Sequence, residues 1–367
     1  MTKQFRLLYK VSIIVLAIMA AMLIGSVILL TIGANVFKTY TVILFEPLKT
    51  TLQFSEVLLR AIPLTIIALG ISVAYRSGII NIGAEGQMLM GILGTTAVAL
   101  SFPELPKVIL LPMAILAGAI AGGAYGFIPG ILKAKLQVSE LLSTVMLNYI
   151  AAQFYTFMLR GPMLDPAERT MGSGTPQSMR LSRNLWLDRF LPGTRLHTGL
   201  FFALFLALLI YLLLWKTSFG YKMRAAGASA RAARYGGVNV TWYLVIAMVI
   251  SGMFAGMAGA IEIAGVHRRA IEGMTSGYGF SGIVVALFGG LHPAGIVPAS
   301  FFFGLLIVGA DMTQRLVGVP ANMVNVLQGI IILVIVATKM ILADPYLMEK
   351  VWRKYQSLGK KTKEVEA

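Results

Sequence analysis

The sequence predicts an all-α, polytopic integral membrane protein of about ten transmembrane helices, some broken or re-entrant, with both termini in the cytoplasm. Three observations carry that expectation. Only 13% of the 367 residues are charged while 57% are hydrophobic, whereas a soluble domain holds about a quarter charged. The apolar residues fall in long blocks of about 20, the length that crosses a hydrocarbon core of about 30 Å as a helix. The 31 Lys and Arg residues punctuate those blocks instead of gathering on one soluble face. That is how topology signals are distributed, so the expected surroundings are a lipid bilayer and nucleic acid is excluded as a partner.

The first block, 11–33, follows Lys3, Arg6 and Lys10. It is longer than a signal-peptide core and no small-residue cleavage site follows it, so it reads as a retained first span. Further spans are expected at 57–75, 83–100, 108–128, 141–159, 199–215 and 241–264. A segment at 281–291 is too short to cross alone, and His292-Pro293 separates it from 294–312. Proline breaks the hydrogen-bond ladder, so these two read as a bent or re-entrant pair. A last span is expected at 324–343. The transmembrane domain thus covers 1–348, with an inner loop at 216–240 and an outer loop at 160–198, and a basic cytoplasmic tail covers 349–367.

With the N-terminus inside, the inner segments carry 17 basic residues and five acids, against 12 and seven outside. Six of the outer twelve lie in loop 160–198, and long loops translocate with less regard to charge. Within the spans, Gly118, Gly122, Gly126 and Gly130 recur at every fourth position, as do Gly252, Gly256 and Ala260. In lipid this spacing lets helix backbones approach closely, which makes it a packing feature.

Several chemistries are excluded. The chain has no cysteine, hence no disulfide, thiolate metal site or cysteine nucleophile. No phosphate loop occurs; Gly359-Lys360-Lys361-Thr362 lacks the upstream glycine and the helix context. The three histidines, His197, His267 and His292, are scattered over expected loops and breaks, and no acids pair on facing helices. An enzyme is not expected, nor is any cofactor of the chain's own.

One stretch, Ser77 to Gly91, sets Asn81, Glu85 and Gln87 among Gly78, Gly83 and Gly86 in an apolar setting. A carboxylate inside a bilayer costs about 2.5–3.5 kcal/mol on insertion scales, so such groups mark a pathway or a partner. The glycines permit an unwound backbone, tolerated at membrane depth only where protein or water covers it. Glu85 has two candidate roles. It could bond the hydroxyls or ring nitrogens of a polar cargo, or it could hold backbone amides or an arginine such as Arg76 and fix the break. Its expected place near the inner boundary, directly after Arg76, favours the fixing role. On the fifth span Thr144, Asn148 and Tyr155 share a face, with Tyr149 and Gln153 beside them. Asn148 and Gln153 therefore join Asn81, Glu85 and Gln87 as pathway candidates. Asn325 and Gln328, one turn apart, are candidates for an external gate or a binding-protein contact.

The inner loop Lys216 to Val240 has five basic residues and no acid. Gly227 can end one turn, Ser229 is a good N-cap for a short helix over 230–235, and Gly236-Gly237 can release it. A short cationic helix lying along the membrane suits lipid headgroups or an acidic cleft on a cytoplasmic partner.

This loop resembles the coupling loop of ABC importer permeases, in the group shared by branched-chain amino acid, simple-sugar and nucleoside systems. Gly220, Met223-Arg224-Ala225, Gly227, Ala232-Ala233 and Gly237-Val238 follow that pattern, and Ala228-Ser229 stand where relatives often carry Asn-Pro. Asn81 to Gln87 is similar to the Asn-Ile-Gly-x-Glu-Gly-Gln pattern of the nucleoside-type subgroup. Gly277 to Leu333 resembles the family's last three helices. The resemblance covers most of the chain after about residue 57 and is weakest in loop 160–198.

It implies a multi-pass subunit of the bacterial cytoplasmic (inner) membrane that moves cargo by alternating access. The coupling residues would be Gly220, Arg224, Gly227, Ser229, Arg231, Ala233 and Gly237. The implied partners are a cytoplasmic ABC ATPase, which uses the ATP, an external substrate-binding protein, and a related second permease or a second copy of this chain. The implied cargo is a purine-type nucleoside. A ribose-like simple sugar is the alternative, and an ion-coupled secondary transporter and a non-transporting scaffold are the remoter rivals.

Overall fold

Helices form over the apolar runs, even where a proline lies inside them, as Pro63, Pro112, Pro129 and Pro298 do, and among the described residues no strand is formed beyond isolated bridges. The computed structural model describes residues 3–172, 174–320 and, beyond them, 323, 326, 329, 330, 333, 334 and 338. Most of the span expected at 324–343, with Asn325 and Gln328, and the whole tail 349–367 lie outside the described residues.

The chain divides into two compact units, Met1–Pro47 with Gly309–Ala367, and Leu48–Val308. The first contains α1 (Lys3–Thr31) and α2 (Val36–Phe45). Asn35 caps α2 by accepting from the Lys38 N–H at 3.0 Å, and the Tyr40 hydroxyl donates to the Met22 carbonyl at 2.8 Å. Helix α2, ten residues long, was not among the expected elements.

The second unit holds α3 (Thr51–Arg76), α4 (Ala84–Ser101), α5 (Lys107–Leu136), α6 (Glu140–Arg160), α7 (Pro166–Met171), α8 (Gly199–Lys216), α9 (Ser218–Ala228), α10 (Ala230–Tyr235), α11 (Val240–Glu262) and α12 (Tyr278–Phe288), together with most of α13 (Pro293–Val317). Five helices among the described residues are long and apolar enough to cross a membrane: α3, α5, α8, α11 with its continuation to His267, and α13. Helix α3 is the core element, buried without interruption from Ala61 to Ala74, as a helix apolar on every side must be.

The two glycine stripes meet. A Cβ at Gly122 would lie 2.9 Å from the Gly256 Cα, and one at Gly126 would lie 2.6 Å from the Met248 carbonyl. Helices α5 and α11 thus pack backbone against backbone, the close approach for which small residues are selected in lipid. The break expected at His292-Pro293 is present: α12 ends at Phe288 and α13 starts on Pro293, a first-turn position that needs no N–H.

Loop 160–198 is tied to the segment after α11. Ser178 N–H donates to Ala270 O at 2.9 Å, Leu181 N–H to Arg268 O at 2.9 Å, and Leu187 N–H to Ala264 O at 3.2 Å. The Arg268 guanidinium lies 3.9 Å and the Arg180 guanidinium 5.0 Å from the Trp186 ring centroid. Burial, then the neighbouring Arg189 and Arg180, lower the Arg268 pKa. The six arginines of the loop hid this order, because the bonds that hold it run through main chain.

Candidate functional site

The residues between α3 and α4 do not simply turn at the end of the bundle. Gly78 takes φ +83°, and the chain then runs back between the helices without helical hydrogen bonding until α4 starts at Ala84. Extended chain advances about 3.3 Å per residue, so Asn81 lies well inside. It bonds to Ser251, the twelfth of the 23 residues of α11. Glu85 is therefore level with the middle of the neighbouring helices and not at their inner boundary. The expected place near the boundary followed from closeness to Arg76 in sequence; the extended re-entry of 79–83 corrects it.

The side chains of this segment hold one another. Asn81 and Gln87 pair as two amides: Asn81 Nδ2 donates to Gln87 Oε1 at 2.7 Å and Gln87 Nε2 to Asn81 Oδ1 at 3.2 Å. Asn81 Nδ2 also donates to Ser251 Oγ at 2.8 Å, and its Oδ1 accepts from Gly83 N–H at 2.9 Å. Asn148, from α6, does the work of an N-cap for α4. Its Oδ1 accepts from Gly86 N–H at 2.9 Å and its Nδ2 donates to Ile82 O at 3.0 Å. Asn81, Gln87 and Asn148 are all buried. Their amide groups satisfy main chain that an unwound segment would leave without partners.

Glu85 joins a different helix. Its Oε2 accepts the Gly279 N–H at 2.7 Å, in the first turn of α12, while Glu85 itself sits in the first turn of α4. A carboxylate at helix N-termini meets unpaired N–H groups and the positive ends of the helix dipoles, which is why it is tolerated here. Arg76 does not take part. Its Nε donates to Leu291 O at 2.6 Å and its guanidinium lies 4.7 Å from the Trp215 ring centroid.

Beside Glu85 lies a cavity of about 540 Å³, which also exposes Gln153, Tyr149, Phe280, Thr275 and Glu272. Asn148 lines it too, with both ends of its amide already engaged. Glu272 accepts from the Thr156 hydroxyl at 3.1 Å and faces the Arg160 guanidinium at 3.4 Å. Of the five expected pathway residues, Glu85, Asn148 and Gln153 reach the cavity, whereas Asn81 and Gln87 stand behind it in the packing. The sequence reading missed Glu272 and Phe280. Their only signal was a lone acid and an aromatic residue in the glycine-spaced run Gly273 to Gly282 and its approach.

The basic hairpin packs at the C-terminal end of α3, where the re-entrant segment begins. Thr217 caps α9 by accepting from Gly220 N–H at 3.0 Å. Gly220 lies against Leu214, whose Cα would sit 2.5 Å from an added Cβ. Ser229 caps α10 by accepting from Ala232 N–H at 3.3 Å, and the helix spans the expected residues, Ala230–Tyr235. Gly227 does not end a turn, since α9 continues through Ala228. Its role is contact: an added Cβ would lie 2.8 Å from both the Arg76 carbonyl carbon and the Gly78 nitrogen. Ala233 is buried, and Gly237 takes φ +75°. Arg224 is half-buried, with its guanidinium 5.8 Å from the Trp215 centroid, while Arg231, Arg234 and Tyr235 are exposed.

Comparison with known proteins adds to this geometry. The family described as branched-chain amino acid transport system / permease component matches residues 53–336. The chain is similar to the guanosine ABC transporter permease protein NupP of Bacillus subtilis, 34% identical over 324 residues, covering 88% of this chain and 92% of that one. It is similar to the nucleoside ABC transporter permease protein NupB of Lactococcus lactis, 33% identical, covering 88% and 90%. It is also similar to the glucose ABC transporter permease protein TsgB13 of Haloferax volcanii, 33% identical, covering 89% and 87%.

Proposed function

The chain belongs to the family of branched-chain amino acid transport system permease components, and from that premise we propose that it is the membrane path of an ABC importer for nucleosides, purine nucleosides first. The observation that carries this reading is the cavity at the re-entrant segment, where carboxylate, amide, hydroxyl and aromatic groups converge. A nucleoside has a flat ring to lie against Tyr149 or Phe280, and ring amines and ribose hydroxyls to donate to Glu85 and Gln153. Two of the relatives described above are named for guanosine and nucleoside transport.

The rest of the assembly follows from this reading. Ten crossings would leave both termini in the cytoplasm, in the inner membrane of a bacterium. Arg231, Arg234 and Tyr235 would meet a cytoplasmic ATPase, which supplies the hydrolysis; a related second permease or another copy of this chain, and an external binding protein, would complete the importer. ATPase closure acts on the cavity only if it binds one of two permease conformations better than the other. The contact of Gly227 with Gly78 links the hairpin to the segment that carries Asn81 and Glu85. A simple-sugar cargo is the second reading, favoured by the 33% identity to a glucose permease protein.

Uptake of labelled guanosine into cells with and without this chain, the rest of the system being intact, separates the two. Loss on deletion, with competition by unlabelled adenosine and not by ribose or glucose, is the expected result. Full competition by ribose or glucose would replace the nucleoside reading with the sugar one. Unchanged uptake in a strain lacking other nucleoside transporters would remove the nucleoside reading.

A further inference from the structure

The charge of the cavity runs against that of the chain. Lys and Arg outnumber Asp and Glu by 31 to 15, yet among the described residues the cavity wall contains Glu85 and Glu272 and no Lys, Arg or His. One Glu85 oxygen is engaged by Gly279 N–H, and the other has no protein donor among the described residues. The Gln153 amide is likewise without a partner there. Glu272 faces Arg160, but that guanidinium stands outside the lining with 63% of its side chain exposed, where water screens it. Arg60, on α3, donates to the Tyr278 hydroxyl at 2.8 Å. The N-terminus of α12 offsets about half a unit of charge at Glu85. The balance in the cavity remains negative, and two of the rings at its side, Tyr149 and Phe280, are 66% and 48% exposed.

We propose that this cavity is a charge filter within the membrane path. It takes neutral cargo whose N–H and O–H donors reach the free Glu85 oxygen and the Gln153 amide, and it rejects the phosphate esters of the same cargo. The inference rests on the import reading above and assigns part of the selectivity to this chain, not only to a binding protein outside it. One unpaired charge about 8 Å away, in a partly wet interior of effective dielectric constant near 20, changes the local concentration of a monovalent ion by roughly tenfold or more. A phosphate monoester, with nearly two negative charges at neutral pH, is disfavoured more strongly.

The absence of cysteine gives a clean test. Gln153→Cys puts the chain's single thiol in the cavity. Membranes carrying the assembled transporter are treated with trimethylammonioethyl or sulfonatoethyl methanethiosulfonate. The thiolate attacks the reagent's divalent sulfur, the bond from that sulfur to the sulfonyl group breaks, a mixed disulfide forms and methanesulfinate leaves; labelling is read as a mass increase on this chain. Each rate is divided by the same reagent's rate with free cysteine, which removes the intrinsic difference between the two.

The expected result is a normalised preference for the cation of about a hundredfold, about tenfold from each sign, falling to about tenfold or less when Glu85→Gln is added. That variant keeps a side-chain oxygen for Gly279 N–H, so α12 retains its start. A preference unmoved by Glu85→Gln and by Glu272→Gln overturns the filter. Absence of labelling by both reagents overturns it as well, because the cavity would then be closed to water. Protection of the same thiol by guanosine is a separate readout: charge preference without protection keeps the filter and removes the nucleoside reading.

Discussion

The segments 77–87 and 216–240 are alike in sequence, both polar and glycine-spaced between apolar runs, and the fold uses their polarity in opposite ways. In the first, Asn81 and Gln87 are buried and bonded to each other, to Ser251 and to main chain. In the second, Arg231, Arg234 and Tyr235 are exposed on a helix of six residues whose only buried member is Ala233. The two segments touch where Gly78 packs on Gly227. Buried polarity has to be satisfied inside the protein and so sets a shape, whereas exposed charge is left for something outside to read. Glu85 is intermediate, with one oxygen given to the fold and one to the cavity.

The largest expected effect comes from breaking the seam between the segments. In Gly227→Ala the new methyl meets backbone of Arg76 and Gly78, which cannot rotate away as a side chain can. Overpacking of this kind costs about 3 kcal/mol. Gly237→Ala is the control: it has φ +75° and no atom within 4 Å of the added Cβ, so only the backbone penalty of about 1 kcal/mol applies. Thermal unfolding of the purified complex should rank the two in that order. Equal losses would mean that the Gly78–Gly227 contact does not hold the hairpin.

The next effect separates packing from pathway within the first segment. Asn81→Ala leaves the Gln87 oxygen and the Gly83 N–H without their buried partner, a loss of about 2–3 kcal/mol. Gln153→Ala, at an exposed position on the cavity, should change stability by under about 0.5 kcal/mol while lowering nucleoside uptake severalfold. If Asn81→Ala keeps full stability and loses only uptake, Asn81 is a cargo contact and the division drawn here is wrong.

Much of this was legible along the chain because it is local. The cap at Ser229, the length of α10, the break at His292-Pro293 and the two glycine stripes each depend on residues within a few positions of one another or on a repeat of four. What was not legible depends on distance. The depth of Glu85 was misjudged because the chain after Gly78 runs back extended, and nothing in residues 77–83 alone says whether it turns out or in. Glu85 holds Gly279, 194 positions away, and Glu272 and Phe280 reach the cavity only through the segment joining α11 to α12. The order of loop 160–198 was not legible either: its arginines are visible in sequence, whereas the main-chain bonds to Ala264, Arg268 and Ala270 that hold it are not.

The smallest effect on the fold should accompany a large one on transport. Arg231→Glu with Arg234→Glu reverses two exposed charges on α10 that carry no ion pair among the described residues. Melting temperature and membrane yield should therefore stay at the values of the unaltered chain, as is usual for surface substitutions away from buried features. Arg224 is deliberately left in place, because its half-buried guanidinium beside Trp215 and its buried, unbonded Nε make any change there a packing change as well. If α10 is the face that reads an acidic cleft on the ATPase, the double variant should lose uptake about tenfold while ATP hydrolysis continues without cargo, since repulsion replaces attraction at the contact. Coupled uptake at the normal rate would show that these charges serve topology alone, and the burden of transmission would then fall on the buried half of the hairpin, where Gly227 meets the segment leading to Asn81.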